Sequence, residues 1–114
     1  MDRKKELKEQ YKQMKPDMGI FIVRSNKTNK CYIETSQNLN GFINRTRFQL
    51  NSGGHPNERF QRDWKEQGEN NFTIEILEKL EYDKDESKTD YSEELEVMKF
   101  VWKEKLAKEN IGFY

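Results

Sequence analysis

A chain of 114 residues with zero formal net charge, 37% charged and 32% hydrophobic residues is long enough for one domain with a modest core and too short for two. It has neither an apolar run near the ~20 residues that span a bilayer nor a signal peptide's apolar stretch, so we expect a cytoplasmic protein with no membrane partner. Cys31 is the single cysteine and His55 the single histidine, which excludes a disulfide framework and a zinc site of the usual Cys/His kind within one chain.

The start of the chain predicts a helix that precedes the main domain. Residues 2–14 are all good helix formers, and Pro16 ends the pattern. Three apolar residues recur there at helical spacing: Leu7, Tyr11 and Met14. We therefore expect an N-terminal helix within residues 1–17 and a compact unit over residues 18–114, together forming a single globular domain.

Two short apolar segments joined by a polar turn predict an antiparallel hairpin. The first strand covers residues 19–24 and the second about residues 30–34, and the SNKTN between them supplies turn residues. Cys31 lies in the second segment and is interpreted as a small strand residue.

Two helices are predicted after the hairpin. Apolar residues and one threonine recur at helical spacing on one face of the first: Leu39, Phe42, Ile43, Thr46 and Leu50. After the chain-breaking NSGGHPN, Pro56 is expected in the first turn of the second helix. That helix carries Phe60 and Trp64 on one side and ends at Gly68.

The remainder predicts a strand, an acidic loop and a final helix. In NFTIEILEKL, one set of residues (Phe72, Ile74, Ile76) alternates with another (Thr73, Glu75, Leu77), as in a strand. The last helix runs from about residue 91 to 108, and its wide apolar face predicts a buried helix with one stripe formed by Leu95, Met98, Trp102 and Leu106. The predicted fold class is α+β, with a small three-stranded antiparallel sheet flanked by helices.

Two blocks of the sequence resemble the GIY-YIG nuclease superfamily. The family's first motif has Gly-Ile-Tyr on one strand and Tyr-Ile-Gly on the next, and the matching triplets here are Gly-Ile-Phe at residues 19–21 and Tyr-Ile-Glu at residues 32–34. The second block, HPNERFQRDWKEQGENNFTIEILE, looks like that of small stand-alone and phage-type members. The resemblance covers roughly residues 18–106 and implies a GIY-YIG-like fold.

The resemblance implies a chemistry as well as a fold. Family members hydrolyse DNA phosphodiesters with one divalent ion, a glutamate that binds it, a tyrosine near the attacking water and an arginine on the phosphate. The metal and the arginine stabilise charge on the pentavalent phosphate, and an activated water is the nucleophile. An active chain would therefore need Mg²⁺ or Mn²⁺.

The hairpin keeps only part of the motif. Phe21 stands at the first tyrosine, and its phenyl ring cannot exchange a proton. Tyr32 matches the second tyrosine and is a candidate phosphate or water contact, or else a strand aromatic. Glu34 replaces a glycine and is expected to repel phosphate unless it binds metal.

The following helix and loop are similarly altered. Phe42 falls at the position of the family's catalytic arginine and is interpreted as core, while Arg45, one turn later, is a candidate substitute for it. Thr46 falls where a histidine is common. His55 matches the loop histidine and is a candidate base, with a loop or cap role as the alternative.

The last helix lacks the expected metal ligand. The family's glutamate lies three residues before an aromatic, and three residues before Trp102 is Lys99. We expect Lys99 to form a surface ion pair with Glu96. Glu96 is a weak metal candidate if the helix is shifted, and the other candidates are Glu75, Glu78, Glu93 and Glu94.

Charge is distributed unevenly along the chain. Residues 1–65 carry 14 Lys/Arg and 7 Asp/Glu, whereas residues 66–114 carry 7 and 14. A basic front half fits a nucleic-acid partner, with DNA favoured, bound through its phosphates, and it equally fits two halves of the chain that attract each other. Besides Arg45, the residues proposed for that surface are Arg24, Lys27, Lys30, Arg47, Arg59 and Arg62.

Three functions remain open from the sequence. The substitutions at Phe21, Glu34, Phe42 and Lys99 together favour a catalytically degenerate nuclease homologue that binds nucleic acid. One alternative is a weak Mg²⁺- or Mn²⁺-dependent endonuclease that uses a rearranged site: Tyr32, Arg45, His55 and a displaced glutamate. The other is a module that binds a protein partner through residues 78–96. This segment contains nine acidic residues and three lysines.

Overall fold

The computed structural model describes residues 3–6 and 15–114. Residues 3–6 are helical and exposed. The apolar positions of the predicted N-terminal helix, Leu7, Tyr11 and Met14, lie outside the described residues, so that helix and the division of the chain at residue 17 stay predictions. Within the described residues, no helix has the length and apolar character needed to cross a membrane.

The centre of the fold is a three-stranded antiparallel sheet. Its strands are β1 (Met18–Ser25), β2 (Cys31–Ser36) and β3 (Phe72–Leu80), in the order β2-β1-β3. In the turn between β1 and β2, Ser25 N–H donates to Lys30 O at 2.9 Å. Asn29 has a positive φ of 63°, a conformation that asparagine tolerates better than most residues. The predicted α+β fold class is confirmed, with both strands of the hairpin slightly longer than expected.

β1 contributes to two separate hydrophobic cores because its side chains alternate across the sheet. Met18, Ile20 and Ile22 lie on one side, called here the α3 face after the helix that covers it, α3 (Ser92–Lys108). Phe21 and Val23 lie on the other side, called the α1/α2 face after the helices α1 (Leu39–Ser52) and α2 (Glu58–Gln67). All five side chains are buried. A central strand buried on both sides explains why the segment reads as a continuous apolar run.

A bulge in β3 interrupts the regular alternation of side chains between the two faces that was predicted for this strand. Ile20 pairs with Glu78 but Phe21 pairs with Ile76, so Leu77 is an additional residue on β3. Leu77 consequently packs on the α3 face, while Ile74 packs on the α1/α2 face and Ile76 is left exposed.

Two helices cover the α1/α2 face. They are α1 (Leu39–Ser52) and α2 (Glu58–Gln67), and the side chains of Asn38 and Asn57 cap their N-termini by accepting from backbone N–H groups. Because Asn57 is the cap, Pro56 precedes α2 and does not lie in its first turn as predicted. Gly68 ends α2 as expected, and a short 3₁₀ turn, Glu69–Asn71, leads into β3.

The last helix, α3 (Ser92–Lys108), covers the opposite face of the sheet. Leu95, Met98 and Leu106 are buried there as predicted, and Trp102 is half-buried. The expectation of a helix buried across a wide face was wrong in one respect, since three large apolar side chains on another side of α3 are exposed: Val97, Phe100 and Val101.

The end of the chain returns to the edge strand. Cys31 N–H donates to Gly112 O at 2.9 Å, and Tyr114 N–H donates to Cys31 O at 3.0 Å, which forms a short parallel bridge between Cys31 and Phe113. We call residues 111–114 the C-terminal strap. Cys31 itself is fully buried in β2, as expected for a small strand residue.

Candidate functional site

A cleft of about 220 Å³ lies beside β2 and brings together side chains that are far apart in sequence. Tyr32 and Glu34 reach it from β2, Asn57 from the start of α2, and Lys99 from α3. Because β2 is an edge strand, both helical layers can reach its side chains at once. The remaining lining residues are Cys31, Ile33, Lys103, Phe113 and Tyr114.

An ion pair joins the two most unusual residues of the cleft. The Lys99 ammonium donates to Glu34 Oε1 at 3.1 Å and to Oε2 at 3.2 Å. The side chains are 38% and 27% exposed, so the pair is partly shielded from water. The predicted ion pair between Lys99 and Glu96 was therefore wrong: Lys99 reaches across to the edge strand and neutralises a carboxylate 65 residues away in sequence.

Tyr32 lies within an aromatic cluster. Its ring stacks on Phe60 with centroids 4.8 Å apart and meets the His55 ring edge-on at 5.2 Å. Burial, followed by the nearby negative charge of Glu34, raises the pKa of Tyr32 to about 12. At neutral pH its hydroxyl is therefore a protonated hydrogen-bonding group.

His55 is buried and held by its own loop. Asn57 N–H donates to His55 Nδ1 at 3.0 Å, and His55 N–H donates to Gln61 Oε1 at 2.9 Å. Burial lowers the pKa of His55 below its usual 6.5. Since Nδ1 accepts a hydrogen bond, the neutral ring carries its proton on Nε2, so His55 has the contacts of a loop-ordering residue and lacks a free basic nitrogen.

At three further positions where the family carries polar or ionisable side chains, this chain has packed side chains that cannot exchange a proton. Phe21 is fully buried, with ring centroids 6.5 Å from Tyr32 and 5.8 Å from Phe42. Phe42 is half-buried in the same core, as expected, and Thr46 is buried. No proton-exchanging side chain stands at any of these three positions at neutral pH.

Two other candidate residues lie outside the cleft. Arg45 is exposed on α1, and Glu96 is exposed on α3. Glu96 lines a separate groove with Lys99 but is not part of the cleft lining. The fold therefore brings Tyr32 and His55 into contact, whereas Arg45 and Glu96 do not line the cleft.

The residues of the proposed basic surface are distributed over α1, α2 and the β1–β2 hairpin. Arg45 and Arg47 are exposed on α1 and Arg59 and Arg62 on α2, the layer that also carries His55. Arg47 Nε lies 3.6 Å from Glu69 Oε1. Two lysines are exposed near the β1–β2 turn: Lys27 and Lys30.

Arg24 is placed differently from the other basic residues. It follows Ile20 and Ile22 in the alternation of β1 and is half-buried, and its Nε is buried without a hydrogen-bond partner among the described residues. It is therefore turned toward the α3 face rather than toward the α1/α2 layer.

The residues at this cleft do not fit a divalent cation. Glu34 is its single carboxylate and is already paired with an ammonium, and among residues 3–6 and 15–114 no group of three or more His, Cys, Asp or Glu side chains could hold a metal. Of the other carboxylates considered, Glu75 and Glu93 are exposed, Glu78 accepts from Trp102 Nε1 at 2.8 Å, and Glu94 pairs with Lys88.

The acidic segment 78–96 is partly occupied by its own contacts. Asp85 accepts from Ser87, Asp90 accepts from Ser92, and these hydrogen bonds lower the pKa of both carboxyls. Two of its nine acidic residues thus help to order the loop before α3.

Sequence reasoning missed the contribution of the C-terminal strap. Tyr114 stacks on Phe60 at 5.1 Å, and its hydroxyl donates to Asp63 Oδ2 at 2.8 Å. Burial, and then this hydrogen bond, raise the pKa of Tyr114 to about 12. No local pattern marks a terminal aromatic as a partner of residues 51 positions away, so the sequence carried no usable signal for it.

Comparisons with known proteins bear on the fold. No protein-family model matches the chain, and no curated protein matches it. The solved structures that match include the catalytic domain of the homing endonuclease I-TevI, with a TM-score of 0.66 and 23% identity over 83% of this chain and 94% of that one.

A mutant form of the intron endonuclease I-TevI catalytic domain also matches, with a TM-score of 0.65 and 23% identity over 86% of this chain and 92% of that one. I-TevI is a GIY-YIG homing endonuclease. At this identity the likeness concerns the fold alone, and this chain has a GIY-YIG-like fold.

Proposed function

We propose that this chain uses a nuclease fold to bind nucleic acid, with DNA favoured, and that its cleft has lost the hydrolytic chemistry of that fold. The observation that carries the proposal is the Lys99–Glu34 ion pair. Lys99 stands where the resemblance implies a metal-binding glutamate, and its ammonium lies 3.1 Å from a carboxylate that replaces a glycine. The cytoplasmic location expected from the sequence belongs to the same proposal.

An ammonium cannot replace the chemistry of a divalent cation. A bound divalent ion offers open coordination positions and lowers the pKa of its water, whereas Lys99 carries one charge that Glu34 already neutralises. Tyr32, with a pKa of about 12, stays protonated at neutral pH and supplies no tyrosinate. These features support loss of hydrolysis, and they leave the fold able to bind phosphate.

Exposed arginines on the α1/α2 layer support nucleic-acid binding. Residues 15–65 contain nine Lys/Arg and four Asp/Glu, a net charge of +5. α1 contains Arg45 and Arg47 and no acidic residue. Binding through phosphate charge requires such a surface and makes affinity fall as salt increases.

The binding half of the proposal is tested by fluorescence anisotropy with a labelled DNA duplex over a series of salt concentrations. We expect the logarithm of the binding constant to fall linearly with the logarithm of salt, and Arg45→Ala to reduce the slope by about 1, as for loss of one phosphate contact. Lys84→Ala, an exposed change in the acidic loop, is the matched control and should leave the slope unchanged. Absence of binding at low salt would contradict this half.

The catalytic half is tested with supercoiled plasmid and branched DNA in the presence of Mn²⁺. We expect no cleavage by the wild-type chain. Cleavage that EDTA abolishes and that Tyr32→Phe and Arg45→Ala remove would show that a rearranged site is active and would contradict the proposal.

The role of Lys99 has a separate readout in thermal unfolding. Lys99→Glu places two carboxylates at the cleft, so we expect Mn²⁺ to stabilise this variant by about 1.4 kcal/mol at ten times its Kd. The wild-type chain, in which Lys99 takes up the charge of Glu34, should show no such shift. An equal Mn²⁺ shift in both proteins would show that Lys99 does not exclude the metal.

A further inference from the structure

The charge of α1 differs from that of α2 and α3. α1 contains two arginines and no acidic residue, whereas α2 carries three Lys/Arg and three Asp/Glu, and α3 carries four of each kind. Of these three helices, α1 is therefore the one with a net positive charge, and its solvent face is the helical surface that best suits a polyanion.

The centre of this solvent face is a ridge formed by Asn44 and Phe48. These two residues are one helical turn apart and lie opposite the buried face of α1, which is formed by Leu39, Thr46 and Leu50. Phe48 is 72% exposed. Asn44 is exposed as well, and its amide has no hydrogen-bond partner within the described part of the chain. An isolated exposed phenylalanine needs no explanation, but here it adjoins an amide that is available to a ligand.

Two arginines flank the ridge on opposite sides. Since a helix turns by about 100° per residue, Arg45 lies about 60° from Phe48 around the helix axis and Arg47 lies about 100° away in the other direction. Both arginines are exposed. A carboxylate lies beside one flank, because Glu69 Oε1 is 3.6 Å from Arg47 Nε, and the two side chains are 51% and 45% exposed. An ion pair this exposed contributes little, so a phosphate can take the place of Glu69.

The dimensions and residue types of this face match the major groove of duplex DNA. An α-helix with its side chains is about 10–12 Å across, and the groove is about 12 Å wide. In that position the ridge meets the base edges and the flanking arginines reach the phosphates of the two strands. An asparagine amide can pair with N6 and N7 of adenine, and a phenyl ring can pack on the methyl group of thymine. The major groove of duplex RNA is too deep and narrow for side chains to read.

We propose that α1 is a recognition helix for the major groove of duplex DNA, in which Asn44 and Phe48 contact base edges. Arg45 and Arg47 then hold the phosphates on either side. This inference rests on the nucleic-acid binding proposed above and adds a sequence preference to it. Four residues span about 6 Å along a helix and base pairs stack about 3.4 Å apart, so the contacted adenine and thymine lie about two base pairs apart.

The preference is tested by selecting duplexes from a library with randomised base pairs and then measuring affinity for the selected site by fluorescence anisotropy. We expect enrichment of an adenine and a thymine about two base pairs apart. Asn44→Ala should lower the affinity for the selected site about fivefold or more, and it should leave the salt slope unchanged. Glu69→Gln should raise the affinity for every duplex, since it frees Arg47 for a phosphate.

Removal of one methyl group from the DNA tests the contact of Phe48 directly. Replacement of the contacted thymine by uracil should weaken binding by the wild-type chain about fourfold, and it should not affect binding by Phe48→Ser. Phe100→Ser, which changes a phenylalanine on α3 that is 62% exposed, is the matched control and should respond to uracil as the wild type does. Both side chains are exposed, so the midpoints of thermal unfolding should stay unchanged.

The outcomes separate this inference from the function proposed above. Salt-dependent binding without any enriched sequence would overturn the recognition helix and leave nucleic-acid binding intact. A selected site that Asn44→Ala and Phe48→Ser bind as the wild type does would have the same meaning, as would equal affinity for duplex RNA of the same sequence. Absence of binding to any duplex at low salt would contradict both proposals.

Discussion

The surroundings of His55 make a single side chain responsible for part of the pH dependence of stability. Burial lowers its pKa below the usual 6.5 in the folded state, whereas the unfolded chain keeps the ordinary value. As the pH falls below 6.5, the unfolded state therefore binds a proton that the folded state does not, and the free energy of unfolding decreases.

We expect urea denaturation to give constant stability between about pH 7.5 and 8, and a decline that begins as the pH falls through about 6.5, the ordinary histidine pKa of the unfolded chain, and ends at the lower pKa of the folded state. His55→Gln retains an acceptor for Asn57 N–H and cannot take up a proton, so its stability should be flat over this window. Because the chain has one histidine, an unchanged slope in the variant would show that another group is responsible.

The Lys99–Glu34 pair shows what sequence reasoning could and could not reach for single residues. Lys99 stands three residues before Trp102, where the resemblance implies a metal-binding glutamate, and this spacing was enough to question the metal site from the sequence alone. The partner of Lys99 was not predictable, because helical spacing gives local neighbours such as Glu96, whereas the observed contact depends on how α3 lies across the edge of the sheet.

At the scale of the strands, Gly19 permits the close approach of β1 and β3 next to the bulge. Its φ is +153°, and a Cβ built there would lie 2.0 Å from Glu78 O, a backbone atom that cannot move aside. Glycine is required here by conformation and by space.

Gly19→Ala should therefore destabilise the fold by at least about 2 kcal/mol, measured by urea denaturation. Gly54→Ala is the matched control: a Cβ there meets nothing within 4 Å, and its φ is not positive. The control should change stability by less than about 0.5 kcal/mol. A similar loss in both variants would show that crowding at Glu78 is not the cause, because the chain-entropy effect of Gly→Ala is itself stabilising.

The order and type of the described elements were predictable because helical and strand periods are local properties. The start of α2 was predicted too early in the chain, because proline usually lies in the first turn of a helix. In the structure Asn57 caps the helix, and Pro56 precedes it. The bulge at Leu77 left no mark in NFTIEILEKL, since apolar residues of β3 pack on both faces of the sheet and Leu77 is compatible with either.

At the scale of the whole molecule, β1 links two cores that otherwise share few residues. Ile20 and Ile22 belong to the core under α3, and Phe21 and Val23 to the core under α1 and α2. Neither core can lose β1 without exposing the other, so the two should unfold together.

The two tryptophans report on the two cores, since Trp64 is buried on the α1/α2 face and Trp102 packs on the α3 face. With 5-fluorotryptophan incorporated, we expect both ¹⁹F resonances to change at one urea midpoint. Leu95→Ala should shift both midpoints equally, by about 2–5 kcal/mol of unfolding free energy. A shift of the Trp102 resonance alone would show that the cores unfold separately.

The C-terminal strap has a consequence for how the molecules behave at high concentration. An edge strand with free backbone groups can template intermolecular strand pairing, the first step of amyloid-like aggregation. The strap occupies the N–H and C=O of Cys31, and Glu34 Oε1 accepts from Thr35 N–H at 3.1 Å. Between these points the free edge of β2 is reduced to the neighbourhood of Ile33, which is too short a template for strand pairing, so a second chain would have to extend the sheet at its other edge, β3.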